Sequence, residues 1–380
     1  MRRLLIIADP LGGSQSVQLE LLLSIGKTLQ REYRLSLYTP FCDREKAELI
    51  RGANIELRLP ENGRFRLNRA LARVGQSNES MLWAESWLRE TLWGSNHLEV
   101  ERTLVGEAFD RVLNMSSTVV YPADLWWIQG MPLDLTVAGM APTNWAAGVA
   151  DLLGRPLTAR LDDRMVRRMA SVSSEVVANS PFLMDLYRRR GIPVGGVIYS
   201  VKDLGPFRPS SLHPSRDYVL LYIGKEIERL NLRALKASGV KVVGFGGKVP
   251  TGTILHSLTD HIDFRGFVPC SELVDLYSNA MFTLFPFTAE PLGYVPLESM
   301  ACGTPVLTFG RQGPGETVLD GRTGWLVRTA EEMVHKAEEL WHHGITGITS
   351  TACIERANSF SLRRSMTELL TRIDRSAPAG

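Results

Sequence analysis

The amino-acid sequence predicts an α/β protein built from two doubly wound, Rossmann-like domains. Three observations carry that prediction. Short apolar runs of buried-strand type recur along the chain, helical patterns separate most of them, and 380 residues suffice for two separate cores.

The first domain is expected over 1–205. Residues 4–8 read as a strand, followed by the loop Asp9-Pro-Leu-Gly-Gly-Ser14, a helical pattern over 17–29 and a second strand over 35–38. The pair Gly12-Gly13 is not the dinucleotide fingerprint, which needs GxGxxG, and suits a plain tight turn as well as a ligand loop. Strand-like runs resume at 112–115 and 125–128, with loop chemistry over 129–134. Residues 172–179 read as strand, Ser180 as helix cap, Pro181 as first turn, 182–190 as helix and 197–200 as strand. Pro206, Pro209 and Pro214, set among polar residues, mark 206–214 as a linker. The second domain, 206–359, repeats the rhythm with strands expected at 218–224, 240–244, 263–267, 281–287, 305–309 and 325–328. A helix after Leu362 ends the pattern.

Composition narrows the function classes. Hydrophobic residues at 44% and charged residues at 22% describe an ordinary globular chain, and a net charge of +2 gives no warrant for nucleic-acid binding. Cys42, Cys270, Cys302 and Cys353 show neither CxxC pairing nor metal-ligand spacing, and read as reduced residues buried by packing. The adjacent Asp162 and Asp163 lie in a basic helix and read as surface charges, so no metal site is expected. The apolar start is too short for a signal peptide, and no apolar run has membrane-crossing length. A cytoplasmic protein is expected, either free or peripheral on the cytoplasmic membrane face. Residues 63–93 keep the second option open. Arg64, Arg66, Arg69 and Arg73 interleave with Phe65, Leu67, Leu71 and Val74, and Trp83, Trp87 and Trp93 follow. Such a basic amphipathic helix can lie on anionic lipid or pack on its own domain.

The most informative stretch is Glu290-Pro-Leu-Gly-Tyr-Val-Pro-Leu-Glu298, followed by Ser-Met-Ala-Cys-Gly-Thr-Pro-Val. Apolar runs at 282–287 and 306–309 flank it, so it reads as strand, loop, helix and strand. Ligands of such crossovers gather beyond the carboxyl ends of the strands. Pro291 suits the first turn of the helix and Gly293 permits close approach of a ligand. The N–H groups near Gly293, Tyr294 and Val295 would face a phosphate, with Glu290 at the mouth and Glu298 two turns along the helix. Carboxylates accept hydrogen bonds from the hydroxyls of a sugar or a ribose.

These residues resemble the E-x7-E signature of the retaining, nucleotide-sugar-dependent glycosyltransferases of the family-4 type, which have the two-domain GT-B fold. The resemblance implies two domains facing a cleft, the first on the acceptor side and the second binding the nucleotide sugar, with the last helix returning to the first domain. It implies transfer with retention from a nucleotide sugar, UDP-sugar favoured over GDP-sugar, to a hydroxyl acceptor: a glycan, a lipid-linked sugar or a small molecule. No cofactor and no metal are implied. Glu290 would position the sugar and Glu298 would bind the ribose. Gly293, Tyr294 and Val295 would serve the donor, as would Gly12, Gly13 and Gly244. Phe267 and Val268 occupy the segment whose backbone meets the base, with core packing open for their side chains. Glu316 resembles a frequent family glutamate within a flexible loop, 310–316, and equally suits a helix cap. Two departures stand out. Lys225 holds the place of the family's usual Arg, with Arg229 nearest the usual Lys, and Asn114, Met115 and Ser116 replace a frequent histidine. Two other classes stay open: a non-catalytic nucleotide-sugar-binding subunit and a sugar-nucleotide epimerase.

Overall fold

The computed structural model describes residues 1–12, 17–60, 79–132, 145–211, 213–224, 230–246, 261–287 and 290–375. The chain divides into two compact units. One lies within 1–130, 156–202 and the stretch from Leu362 on; the other lies within 203–361, with 131–155 joined to it. The elements up to the second unit's sheet are β1 (Arg2–Ile7), α1 (Val17–Leu29), β2 (Tyr33–Tyr38), α2 (Arg44–Gly52), β3 (Glu56–Arg58), α3 (Glu79–Trp93), α4 (Ser95–Thr103), β4 (Arg111–Asn114), β5 (Ala123–Ile128), α5 (Trp145–Ser171), β6 (Ser173–Ala178), α6 (Pro181–Arg189) and β7 (Gly196–Val197). There follow β8 (Val219–Ile223), α7 (Leu232–Ala237), β9 (Val242–Gly246), β10 (Asp263–Phe264), α8 (Cys270–Asn279), β11 (Thr283–Phe285), α9 (Tyr294–Ala301), β12 (Val306–Phe309), α10 (Pro314–Thr317), β13 (Gly324–Val327), α11 (Ala330–His343), α12 (Ser350–Asn358) and α13 (Leu362–Arg375).

Among the described residues the sheets are ordered β3-β2-β1-β4-β5-β6-β7 and β10-β9-β8-β11-β12-β13. Every neighbouring pair is parallel. Parallel strands buried on both faces need continuous apolar runs, which explains the fully buried Ala123–Ile128 and Val306–Phe309. In each sheet the strand order reverses once, between β1 and β4 and between β8 and β11. These switch points leave crevices beyond the carboxyl ends of the strands.

Local chemistry sets the helix boundaries. The Ser180 hydroxyl accepts the Leu183 N–H at 3.2 Å, and Pro181 fills the first turn of α6. The first core joins β1, β2 and α1 to Met366, Leu369 and Ile373 of α13. That helix is pinned by Arg2 to Asp374 at 2.6 Å, by Tyr33 to Asp374 and by Arg372 to Glu175. The second core packs β8, β11 and β12 against α7 and α11.

Several expectations change here. Asp162 is not a surface charge: it is 2% exposed and accepts the Trp87 indole N–H at 2.9 Å. A buried indole needs such a partner. Trp87 is therefore core, while Trp93 is 69% exposed, so the three tryptophans do not act alike. The basic stretch over 61–78 lies outside the described residues. Cys302 and Cys353 are buried, whereas Cys270 is exposed at the start of α8, where a helix begins without needing an apolar residue. None of the described helices is long and apolar enough to cross a membrane.

Candidate functional site

In the second unit the switch point between β8 and β11 is lined by aromatic rings. Tyr222 stacks on Phe287 with centroids 5.1 Å apart and on Phe285 at 6.2 Å, and Phe285 stacks on Phe287 at 4.5 Å. A Cβ on Gly224 would come within 3.1 Å of the Phe287 ring, so close packing calls for glycine where β8 gives way to the next loop. That loop carries Lys225 and Arg229, which lie outside the described residues, as do Gly13 and Ser14 of the first unit.

β11 leads to Glu290. The helix starts later than the sequence suggests: Gly293, at φ 91°, is the residue before α9, and Pro291 lies in the loop. Glu298 is therefore about one turn into α9, not two. The Glu290 carboxylate turns back onto the helix entrance, where its Oε1 accepts the N–H groups of Leu292 at 3.2 Å and Gly293 at 2.9 Å. This satisfies the Gly293 N–H, which helix geometry leaves open, together with that of the preceding Leu292, and sets a negative group against the positive end of the helix. It also takes up the Gly293 N–H, one of the three groups expected to face a phosphate.

The loop after β12 clasps the same segment. The Glu290 N–H donates to Gln312 Oε1 at 2.9 Å, and the Gly313 N–H donates to the Glu290 carbonyl at 3.0 Å. Gln312 adopts φ 70°, a left-handed conformation that a non-glycine residue holds only when its surroundings enforce it. Gly313 lies so close that a Cβ there would be 2.2 Å from the Pro291 carbonyl oxygen. The glycines of this stretch thus serve close approach of two backbones, in place of the flexibility expected of 310–316.

Glu298 is 5% exposed, and the Tyr277 hydroxyl donates to its Oε2 at 3.0 Å. Burial and the neighbouring Glu298 carboxyl push the Tyr277 phenol well above its ordinary range, so it remains a donor. Tyr277 is fixed edge-on against Phe245 at 5.7 Å and Phe207 at 6.2 Å, and its carbonyl accepts the Thr304 hydroxyl at 2.6 Å. Burial also raises the Cys302 thiol to about 12, so this cysteine is inert packing.

At β9 the strand runs to Gly246, so Gly244 lies inside it and not at its end. A Cβ on Gly244 would meet Ile262 at 2.6 Å, so the strand is closely packed at this position. The strand end is Gly246, at φ 113°, whose N–H donates to the Gly266 carbonyl at 2.8 Å. Beyond Gly266, Val268 is buried, while Phe267 is 64% exposed and so does not pack in the core.

The switch point of the first unit was not anticipated. Asp9, just past β1, accepts hydrogen bonds from the loop after β4: Ser116 Oγ at 2.5 Å, Thr118 Oγ1 at 2.7 Å, and the N–H groups of Ser117 and Thr118 at 3.0 Å. Burial pushes the Asp9 carboxyl up, while these donors favour its charged form. Asn114, in the family's histidine place, donates to the Val119 carbonyl at 3.0 Å and accepts the Ser116 N–H at 2.8 Å. It shapes this loop. Gly12 follows closely, and a Cβ there would be 2.2 Å from Leu82 and 3.0 Å from the Phe41 ring. Among the described residues no three His, Cys, Asp or Glu side chains converge as metal ligands.

Two parallel Rossmann-like sheets, each with one switch point, define a GT-B fold. Residues 211–343 match the family model described as "Glycosyl transferases group 1". That match lies within the second unit and spans about a third of the chain. It is similar to a D-inositol 3-phosphate glycosyltransferase of Streptosporangium roseum, 31% identical over 52% of this chain and 53% of that one. It also resembles an alpha-maltose-1-phosphate synthase of Mycolicibacterium smegmatis, 43% identical over 17% of this chain and 16% of that one. The chain spans about half the length of the first of these curated relatives, 53%. Among solved structures, Anabaena HepE in complex with UDP and glucose superposes with a TM-score of 0.66 at 14% identity, covering 99% of this chain and 100% of that one. A glycosyltransferase from Rickettsia africae gives 0.62 at 13% identity and 99% coverage of both chains.

Proposed function

We propose that this protein transfers a hexose, with retention at the anomeric carbon, from a nucleoside-diphosphate sugar to a hydroxyl acceptor, and that the donor is a UDP-sugar. The observation that carries this reading is the pair of carboxyls around the entrance of α9: Glu298 is buried and held by Tyr277, and Glu290 is seated on the Leu292 and Gly293 N–H groups. Glu290 follows β11, which borders the reversal of strand order, and Glu298 lies on the helix that comes after it. The fold-level likeness to HepE, crystallised with UDP-glucose, favours the same donor class.

In this mechanism Lys225 and Arg229 stabilise the departing diphosphate, together with the N-terminal dipole of α9 at Tyr294 and Val295. The diphosphate takes the proton of the acceptor hydroxyl on the same face. Glu298 binds the ribose hydroxyls, and Glu290 positions the sugar and stabilises positive character on its ring. Gly12 and Gly13 line the diphosphate, and the backbone at Phe267 and Val268 meets the base. The fixed geometry of both carboxyls supports this, since preorganised groups reorganise little during reaction. Contact of 63–93 with a membrane surface is a further part of the proposal. Exposed Trp93 supports it, and vesicle co-sedimentation tests it.

The deciding experiment measures binding and slow hydrolysis of a panel of nucleotide sugars by wild type and Glu298→Ala. Selective binding of one donor with release of nucleoside diphosphate, both lost in the variant, is the expected result. Absence of donor binding, or binding indifferent to Glu298, would overturn the reading.

A further inference from the structure

The first unit contains a cavity of about 440 Å³ between α3, α4 and α5, built from residues with no part in the site above. Its floor is Glu90, 3% exposed. One carboxyl oxygen, Oε2, accepts the His97 N–H at 3.1 Å. The other, Oε1, is buried without a hydrogen-bond partner, and the nearest cation, Arg168 Nη1, stands 3.8 Å away. The His97 ring is engaged elsewhere, with Nδ1 3.0 Å from the Val120 carbonyl oxygen and Nε2 3.3 Å from Glu101. Oε1 thus faces a cation without accepting a hydrogen bond, which leaves a buried lone pair able to take one from a ligand.

The rim has two characters. On one side Arg164 and Arg168, one helical turn apart on α5, are exposed. On the other, Leu92, Trp93 and Leu98 expose apolar surface where α3 passes into α4. Apolar and cationic side chains thus share the rim of one cavity. Guanidinium pairs suit phosphate or carboxylate. The volume fits a small ligand.

From this juxtaposition we propose that the cavity binds an anionic amphiphile: a phosphate monoester on Arg164 and Arg168, a hydroxyl on a neighbouring carbon donating to Glu90 Oε1, and one alkyl chain lying along Leu92, Trp93 and Leu98. The 3.8 Å between Arg168 and Glu90 is short enough for a phosphate and the hydroxyl beside it to reach both at once. The inference does not depend on the transfer reaction, because none of these residues belongs to the donor site.

The test is calorimetric titration of the full chain with monodecanoyl glycerol phosphate below its micelle concentration. Glycerol phosphate lacks the chain and monodecanoyl glycerol lacks the charge, so these are the comparison ligands. Saturable binding is expected only with the complete amphiphile. It should weaken by at least roughly tenfold in the double variant Arg164→Ala, Arg168→Ala and in Leu98→Ser, all at exposed positions. Equal affinity for the uncharged compound, no effect of the arginine substitutions, or binding only to vesicles and never to the monomer would each overturn the proposal.

Discussion

Replacing Gly313 with alanine probes the clasp around Glu290 by sterics alone. Gly313 has φ −57° and ψ −45°, a conformation open to any residue, so alanine brings no backbone strain. Its Cβ would nevertheless sit 2.2 Å from the Pro291 oxygen and 2.5 Å from the Leu292 Cα, where 3.0–3.4 Å is already tight. Each of those atoms is backbone, so no change of rotamer relieves the overlap, and the Pro291–Leu292 loop must withdraw by about 1 Å. That loop leads into Gly293 and α9, and the displacement reaches both the Glu290 carboxylate and the helix entrance. Misplacement by about 1 Å costs on the order of 100-fold in rate. We therefore expect Gly313→Ala to lose about 100-fold in kcat/KM for donor turnover, with overpacking lowering stability by about 1–3 kcal/mol. Gly52→Ala serves as the control, because nothing lies within 4 Å of its Cβ. A folded Gly313→Ala enzyme with wild-type kcat/KM would refute the claim that the clasp positions the site.

Tyr277→Phe removes the donor to buried Glu298, which should cost about 1–3 kcal/mol of stability. If Glu298 binds the ribose, the variant also loses discrimination between UDP and its 3′-deoxy analogue in competition binding, an effect that packing loss alone would not produce. Asp9→Ala strips the carboxylate from the loop after β4 and should destabilise by at least about 2 kcal/mol. Hydrogen exchange at the Ser117 and Thr118 amides should then accelerate, and unchanged protection would contradict the role assigned to Asp9. Burial raises the Glu90 carboxyl above its ordinary range, against the opposing pull of the backbone N–H groups of His97 and Asn96 and of Arg168 and His97 as charged neighbours. A carboxyl whose folded pKa is raised contributes stability at low pH and loses it as pH climbs through the folded value. Glu90→Gln should therefore gain in thermal midpoint over wild type as pH rises from about 4.5 to about 8; a constant difference would show that Glu90 does not titrate in the folded protein over that range.

Backbone rhythm was readable in advance because apolar period and punctuation are local. The helix over 17–29 and the cap at Ser180 follow from a few neighbouring residues. The start of α9 was misjudged because Pro291 suits a first turn, and only the position of Gly293 in the left-handed region shows where the helix begins. Long-range pairings left no such mark. Asp9 meets residues more than a hundred positions away, and Trp87 meets Asp162 across 75. A charged residue in a basic helix gave no local sign that an indole would cover it. Tyr277 escaped notice for the same reason: its period on α8 says that it is buried, and nothing in that period names the carboxyl it serves. Gly244 shows a further long-range effect, a glycine whose missing Cβ leaves room for Ile262, Ile223 and Phe264.

The last helix has a consequence for synthesis. Met366, Leu369 and Ile373 belong to the core built on β1 and β2, yet they are made after the whole of the second sheet. The amino-terminal sheet therefore leaves the ribosome with part of its apolar surface uncovered and must stay so until α13 emerges. Amino-terminal domains commonly fold first during translation. Here the later-made unit can reach its final packing first, while the earlier one waits, exposed to chaperones and to aggregation. Shortening the chain within α13 would consequently injure the half of the protein that was made first.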